Sequence, residues 1–162
     1  MAKVYLGLGT NLGNKEQNLH FAVQKIEEQV GKISSLSAFY VTAPWGFDST
    51  NSFLNAAVCV ETLSLPMVVL RETQQIEREM GRTHKSANGT YGDRIIDIDL
   101  LLYDNLILNT EELILPHPLM AQRLFVMEPL AEIASDVMHP VWHKSMKSLF
   151  QLLQSGEKAI VL

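Results

Sequence analysis

The stretch Phe53-Leu54-Asn55-Ala56-Ala57-Val58-Cys59-Val60-Glu61-Thr62 alternates cleanly. Leu54, Ala56, Val58 and Val60 share one side of an extended chain, and Phe53, Asn55, Ala57, Cys59 and Glu61 share the other, which is the period-two signature of a strand. Upstream, Val4 to Leu8 is a second aliphatic run, ended by Gly9, and Ile33 to Val41 is a third. Between these two runs, Leu19, Ala22, Val23, Ile26 and Val30 recur at helical spacing, with Asn14 at the N-cap position and Gly31 as the stop. The loop from Thr42 to Ser52 carries Pro44, Gly46, Asp48 and Asn51 and cannot continue a strand.

Downstream, Ser64 and Pro66 open a helix whose inward stripe is Val69, Thr73, Ile76 and Met80, and Gly81 closes it. Arg82 to Asp93 is a polar loop. Ile95 to Tyr103 is a strongly apolar strand, and Asp104-Asn105 is read as turning it into a hairpin with Leu106 to Leu108. Leu113 to Leu115 is a short strand stopped by Pro116. Short helices follow around Ala121, from Pro129 to Ala134 and from Ser145 to Leu153. The order β-α-β-β-α-β predicts an α+β fold on the ferredoxin-like plan, a mostly antiparallel sheet with helices packed on it. No repeat, linker or low-complexity tract divides the chain, so one domain is expected over 1–162.

The chain is 47% hydrophobic and 19% charged with net charge -5, and an acidic chain of this kind argues against a general nucleic-acid binder. A lone cysteine, Cys59, forms no intrachain disulfide and suits a reducing compartment. The apolar start is too short and glycine-rich for a signal peptide, and no run approaches the ~20 apolar residues that span a bilayer. A cytoplasmic protein, with no membrane partner, is the expectation.

The chemistry concentrates at Arg94-Ile95-Ile96-Asp97-Ile98-Asp99-Leu100-Leu101-Leu102. Ile96, Ile98, Leu100 and Leu102 are expected on one buried face, which puts Asp97 and Asp99 together on the other, roughly 6.6 Å apart along the strand. Two carboxylates ~5 Å apart repel by about 3 kcal/mol at an effective dielectric near 20, and a cation relieves that. Paired oxygen ligands suit magnesium, which takes one or two carboxylates plus substrate phosphates. The competing reading is a solvated face on which two aspartates keep a strand from aggregating. Arg94 precedes the strand with a guanidinium suited to phosphate oxygens.

The glycine-rich run Gly7-Leu8-Gly9-Thr10-Asn11-Leu12-Gly13-Asn14 matches neither familiar nucleotide cradle. A Walker loop needs four residues between its glycines and then Gly-Lys, and Leu12 stands where the dinucleotide fingerprint needs its last glycine. The run is read as a tight strand-to-helix turn. His20, His84, His139 and His143 show no zinc-like spacing.

Taken together, Gly9-Thr10-Asn11-Leu12-Gly13, Phe39-Tyr40, Thr42 to Gly46, Phe53-Leu54-Asn55-Ala56-Ala57, Gln74 with Glu77, Gly81-Arg82, Arg94 to Asp99, Pro116-His117 and Arg123 with Phe125 resemble, in order and spacing over nearly the whole chain, the 6-hydroxymethyl-7,8-dihydropterin pyrophosphokinases. The resemblance implies a monomeric α/β/α sandwich that binds ATP and then pterin and releases AMP. It implies Asp97 and Asp99 as ligands of two magnesium ions, Arg82 and Arg94 as catalytic cations, and Gln74, Glu77, Arg94, Leu100, His117 and Arg123 on the nucleotide side. Phe53 and Phe125 would sandwich the pterin, Asn55 would read its polar edge, and Thr42, Pro44, Trp45 and Tyr91 would contact it. Stacking of a flat heterocycle between aromatics and an amide offering both donor and acceptor make physical sense of that set.

The chain departs from the family at Tyr91-Gly92-Asp93-Arg94, where Trp-Gly-Pro-Arg is usual, and at His84, Glu112 and Pro118 on the nucleotide side. Two other readings stand beside this one: a different metal-dependent phosphotransferase or hydrolase built on the same Asp-x-Asp pair, and a ferredoxin-like ligand-sensing or RNA-binding module.

Overall fold

The structure is a computed structural model that describes residues 1–42, 52–81 and 95–156. Strand β1 (Ala2–Thr10) leads into helix α1 (Lys15–Gln29), then β2 (Lys32–Leu36), β3 (Tyr40–Thr42) and β4 (Phe53–Thr62). Helix α2 (Pro66–Glu79) and strand β5 (Asp97–Tyr103) follow. The chain closes with β6 (Leu108–Asn109), β7 (Ile114–Leu115), a 3-10 turn at Met120–Gln122, α3 (Leu124–Ala134) and α4 (Met146–Gln154).

The main sheet runs β2-β4-β1-β5, with β3 also paired to β4, and every pairing is antiparallel. That is the ferredoxin-like order. It places β1 and β4 in the middle and makes β5 an edge. Helices α1 and α2 cover one face through Leu19, Ala22, Ile26, Val69 and Ile76, packed on Val4, Leu6, Leu8, Ala56, Val58, Val60, Ile96, Ile98 and Leu100. Helices α3 and α4 cover the other through Val126, Met127, Leu130, Met146 and Leu149, packed on Tyr5, Ala57, Cys59, Leu101 and Leu102. The result is the α/β/α sandwich.

Local chemistry accounts for the helix starts. The Asn14 side chain accepts the Gln17 N–H, and Pro66 opens α2 where its missing N–H costs nothing. Gly31 follows α1 because a Cβ there would lie 2.3 Å from the Glu61 carbonyl oxygen.

Four expectations need correction. The run Ile33 to Val41 is two strands, because Ser37 interrupts it: its hydroxyl accepts the Ala57 N–H, substituting a side chain for a rung of the ladder. Leu102 does not share a face with Ile98 and Leu100. The β1–β5 register shifts between Tyr5 and Leu6, leaving Leu101 as an extra residue, so Leu101 and Leu102 both enter the core under α3 and α4. Leu106 to Leu108 forms no hairpin with β5. The Asp104 carboxylate accepts the Lys3 N–H and the chain turns away, leaving β6 to pair with β7. Finally, α3 begins at Leu124, five residues before Pro129, which sits inside the helix.

Candidate active site

At the end of the sheet where β1 finishes, three adjacent strands present paired residues on the α3 side. Asn55 and Ala57 of β4 pair with Gly9 and Gly7 of β1, which pair in turn with Asp97 and Asp99 of β5. Paired residues project to the same face, so the central strand contributes no side chain between the amide and the carboxylates. The glycines form the floor of a trough with Asn55 on one wall and the two aspartates on the other.

Two clefts meet there. The first, about 470 Å³, is lined by Gly7, Gly9, Thr42, Phe53, Asn55 and Phe125 together with Asp97 and Asp99. The second, about 1310 Å³, is lined by Gln74, Glu77, Leu100, His117 and Arg123, again with Asp97 and Asp99. The aspartate pair is common to both. Of the expected site residues within the described chain, Thr42, Phe53, Asn55 and Phe125 line the first cleft, and Gln74, Glu77, Leu100, His117 and Arg123 line the second. Pro44, Trp45, Arg82, Tyr91 and Arg94 lie outside the described residues, as do His84 and Asp93. Glu112 and Pro118, two of the departures, line the second cleft.

Several of these side chains are held in place. Asn55 is buried, and its Nδ2 donates to Thr42 Oγ1 at 2.8 Å. The Arg123 guanidinium sits 5.6 Å from the centre of the Phe125 ring, so a cation bordering one cleft rests on an aromatic bordering the other. Glu77 Oε2 accepts the backbone N–H of Ile98 at 2.8 Å, bracing β5 between the two aspartates. Burial pushes the His117 imidazole down to about 4; Arg123 adds to that shift and Asp97 opposes it. Its Nδ1 accepts the Leu119 N–H, which leaves Nε2–H as the donor of a neutral ring.

The donor set fits magnesium. Among the described residues lining the second cleft, the acidic side chains are Glu77, Asp97, Asp99, Glu111 and Glu112, against the single guanidinium of Arg123. A polyphosphate entering such a cleft needs cations as its escort. No cluster of three or more His, Cys, Asp or Glu side chains suited to a metal occurs among the described residues, and a pair of carboxylates is what magnesium commonly takes from a protein.

A family model described as 7,8-dihydro-6-hydroxymethylpterin-pyrophosphokinase (HPPK) matches residues 5–135. The chain belongs to the HPPK family. It is 48% identical over 141 residues to the 2-amino-4-hydroxy-6-hydroxymethyldihydropteridine pyrophosphokinase of Porphyromonas gingivalis, covering 86% of this chain and 95% of that one. It is 38% identical over 147 residues to the enzyme of the same name from Aquifex aeolicus, covering 91% and 89%. Among solved structures, the Plasmodium falciparum HPPK-DHPS triple mutant with STZ-DHP superposes with TM-score 0.78 at 18% identity over 95% of this chain, a likeness of fold. The HPPK chain described here spans 43% of that longer protein.

Gly7 and Gly9 were missed as site residues. The glycine run is not a turn until Gly13, whose φ is +68°, and β1 continues through Gly9 to Thr10. Their spacing of two, matching the spacing of Asn55 to Ala57 and of Asp97 to Asp99, is the signal that marks them.

Proposed function

We propose that this chain transfers a diphosphate group from ATP to 6-hydroxymethyl-7,8-dihydropterin, giving AMP and the pterin diphosphate for folate synthesis. The observation that carries this reading is that an aromatic cleft and an acidic cleft share Asp97 and Asp99. Two substrates held in the two clefts would meet at that pair.

In the first cleft, Phe53 and Phe125 hold the flat ring, and Asn55, tethered by Thr42, reads its polar edge. In the second, Gln74, Leu100 and the neutral His117 border the nucleotide, while Arg123 brings positive charge to its phosphates. Asp97 and Asp99 would hold the magnesium, two ions in this reading, and Glu77 keeps their strand in register. Magnesium bound there supplies charge neutralisation for the phosphate oxygens. The substrate hydroxymethyl oxygen attacks the β-phosphorus; a new O–P bond forms, the bond between the β-phosphorus and the α,β-bridging oxygen breaks, and AMP leaves with that oxygen while the hydroxyl proton is lost. Positioning and charge carry most of such a transfer. Arg82 and Arg94 are proposed as further cations, and Pro44, Trp45 and Tyr91 as further pterin contacts. A monomer acting in the cytoplasm is part of this reading; no helix among the described residues is long and apolar enough to cross a membrane.

Product analysis tests the reading. With ATP, magnesium and the hydroxymethyldihydropterin, AMP and pterin diphosphate should appear in equal amounts, with no free pyrophosphate. Formation of ADP and orthophosphate, or AMP production that ignores the pterin, would point instead to another phosphotransferase or a hydrolase on the same carboxylate pair.

A further inference from the structure

We infer that Gly9 is a specificity-determining residue of the ring cleft: its missing side chain leaves the carbonyl oxygen of Asn55 open to the ring edge. This rests on the functional reading above and deepens it. Gly9 is the register partner of both Asn55 and Asp97, so any side chain on it would rise between the amide and the carboxylate. A Cβ built on Gly9 would lie 3.0 Å from Asn55 Oδ1 and 3.7 Å from Phe53 Cδ1. A carbon that close to the oxygen requires the amide to give way. Asn55 is 3% exposed and its Nδ2 is tied to Thr42 Oγ1 at 2.8 Å, so even a shift of a few tenths of an ångström strains that bond in a closed space. The added methyl therefore covers the acceptor that a ring N–H would meet, and narrows the slot beside Phe53.

The backbone does not explain the glycine. The positive-φ glycines of the described chain are Gly13, Gly81 and Gly156, and Gly9 lies in an ordinary central strand, where alanine is preferred over glycine. A residue kept for folding alone would favour the substitution that function forbids. Gly7, one pleat along, differs: a Cβ there meets Leu101 Cδ1 at 3.4 Å, an ordinary contact, and its three nearest neighbours are all atoms of the Leu101 side chain.

The test compares wild type with Gly9→Ala by calorimetry, using oxidised 6-hydroxymethylpterin as the ring probe in saturating magnesium and α,β-methylene-ATP, and the nucleotide analogue alone as a second probe. Gly9→Ala should stay folded and melt within about 3 °C of wild type, because the lower backbone entropy cost of alanine offsets the strain on the Asn55 amide. Its nucleotide affinity should stay within twofold, while its pterin affinity falls at least tenfold. A pterin affinity within twofold of wild type, or an equal loss of both ligands, overturns the inference. If Gly9→Ala does not fold, the double variant Gly9→Ala with Asn55→Ser, which removes the clashing oxygen, should recover the fold; a failure to recover would show that the Cβ clashes elsewhere and overturns the inference too. Wild-type protein that binds the nucleotide but no pterin would instead sink the functional reading, before Gly9 is in question.

Discussion

Glu77 on α2 accepts the backbone N–H of Ile98 on β5 at 2.8 Å. Among the described strands β5 is an edge of the sheet, so its outward amides face no described neighbouring strand, and Ile98 stands between the two aspartates. The carboxylate thus replaces a missing strand at the one place where the spacing of Asp97 and Asp99 is decided. Glu77→Leu removes a hydrogen bond to a charged group, worth about 1.5–3 kcal/mol, and should lower both stability and the apparent affinity for magnesium with nucleotide. Glu77→Gln keeps an acceptor and should lie between Leu and wild type. Magnesium titration of nucleotide-analogue binding in the three proteins checks this; equal magnesium dependence in all three would confine Glu77 to a direct nucleotide contact.

Asp97 and Asp99 share a face and both clefts, and no other carboxylates border the ring cleft among the described residues. Asp97→Asn and Asp99→Asn should each lower turnover by at least ~100-fold, the scale on which removing one preorganised electrostatic group acts. Both variants should stay folded, so that the loss of turnover reports on the chemistry. Turnover at saturating ATP together with a urea melt decides the point. Near-normal turnover in a folded variant would remove the pair from the chemistry.

Much of this site was legible because its chemistry is written in short periods. The two-residue spacing of Phe53 with Asn55, and of Asp97 with Asp99, says which side chains share a face before any fold is known. What parity cannot reveal is where it breaks. The extra residue at Leu101 leaves no mark in composition, since Leu100, Leu101 and Leu102 are identical, yet it sends Leu102 to the opposite core. Ser37 is similar: a hydroxyl that takes over a backbone hydrogen bond looks, in sequence, like any polar strand residue. Gly7 and Gly9 were hidden for another reason. A glycine advertises turns, and its use as empty floor appears only once the neighbours that flank it are known.

His117 borders the second, acidic cleft as a neutral ring whose Nδ1 is occupied by the Leu119 N–H. Burial, with Arg123 close by, holds it down to about 4 despite Asp97. Its ring signals in a proton NMR titration should therefore stay constant from pH 8 to about 5. Turnover over that range should show no step that disappears in His117→Gln, while the variant loses affinity for nucleotide by several-fold because Nε2–H is displaced. A His117 titration near its ordinary 6.5 would contradict the buried neutral donor.

His139 repeats the device away from the site, and there it bears on stability. It is 2% exposed, stacks on Trp142 with ring centres 4.2 Å apart, and its Nδ1 accepts the N–H groups of Val141 and Trp142. Both bonds require Nδ1 to be unprotonated. Burial, with His143 adding, pushes the group from its ordinary 6.5 down to about 4. A folded-state value below the unfolded one means that the unfolded chain binds the extra proton first. The contribution of His139 is therefore fully present above about pH 6.5 and is lost as pH falls toward 4. Allowing for solvent screening, that loss is on the order of 1–3 kcal/mol. Urea melts of wild type and His139→Asn at pH 7.5, 6.0 and 5.0 isolate it, because asparagine can accept the same backbone donors without titrating. Asn should cost stability at pH 7.5 through the lost stacking, and the gap between the two proteins should shrink by pH 5.0. A gap that stays constant, or widens, would mean that His139 is protonated in the folded protein.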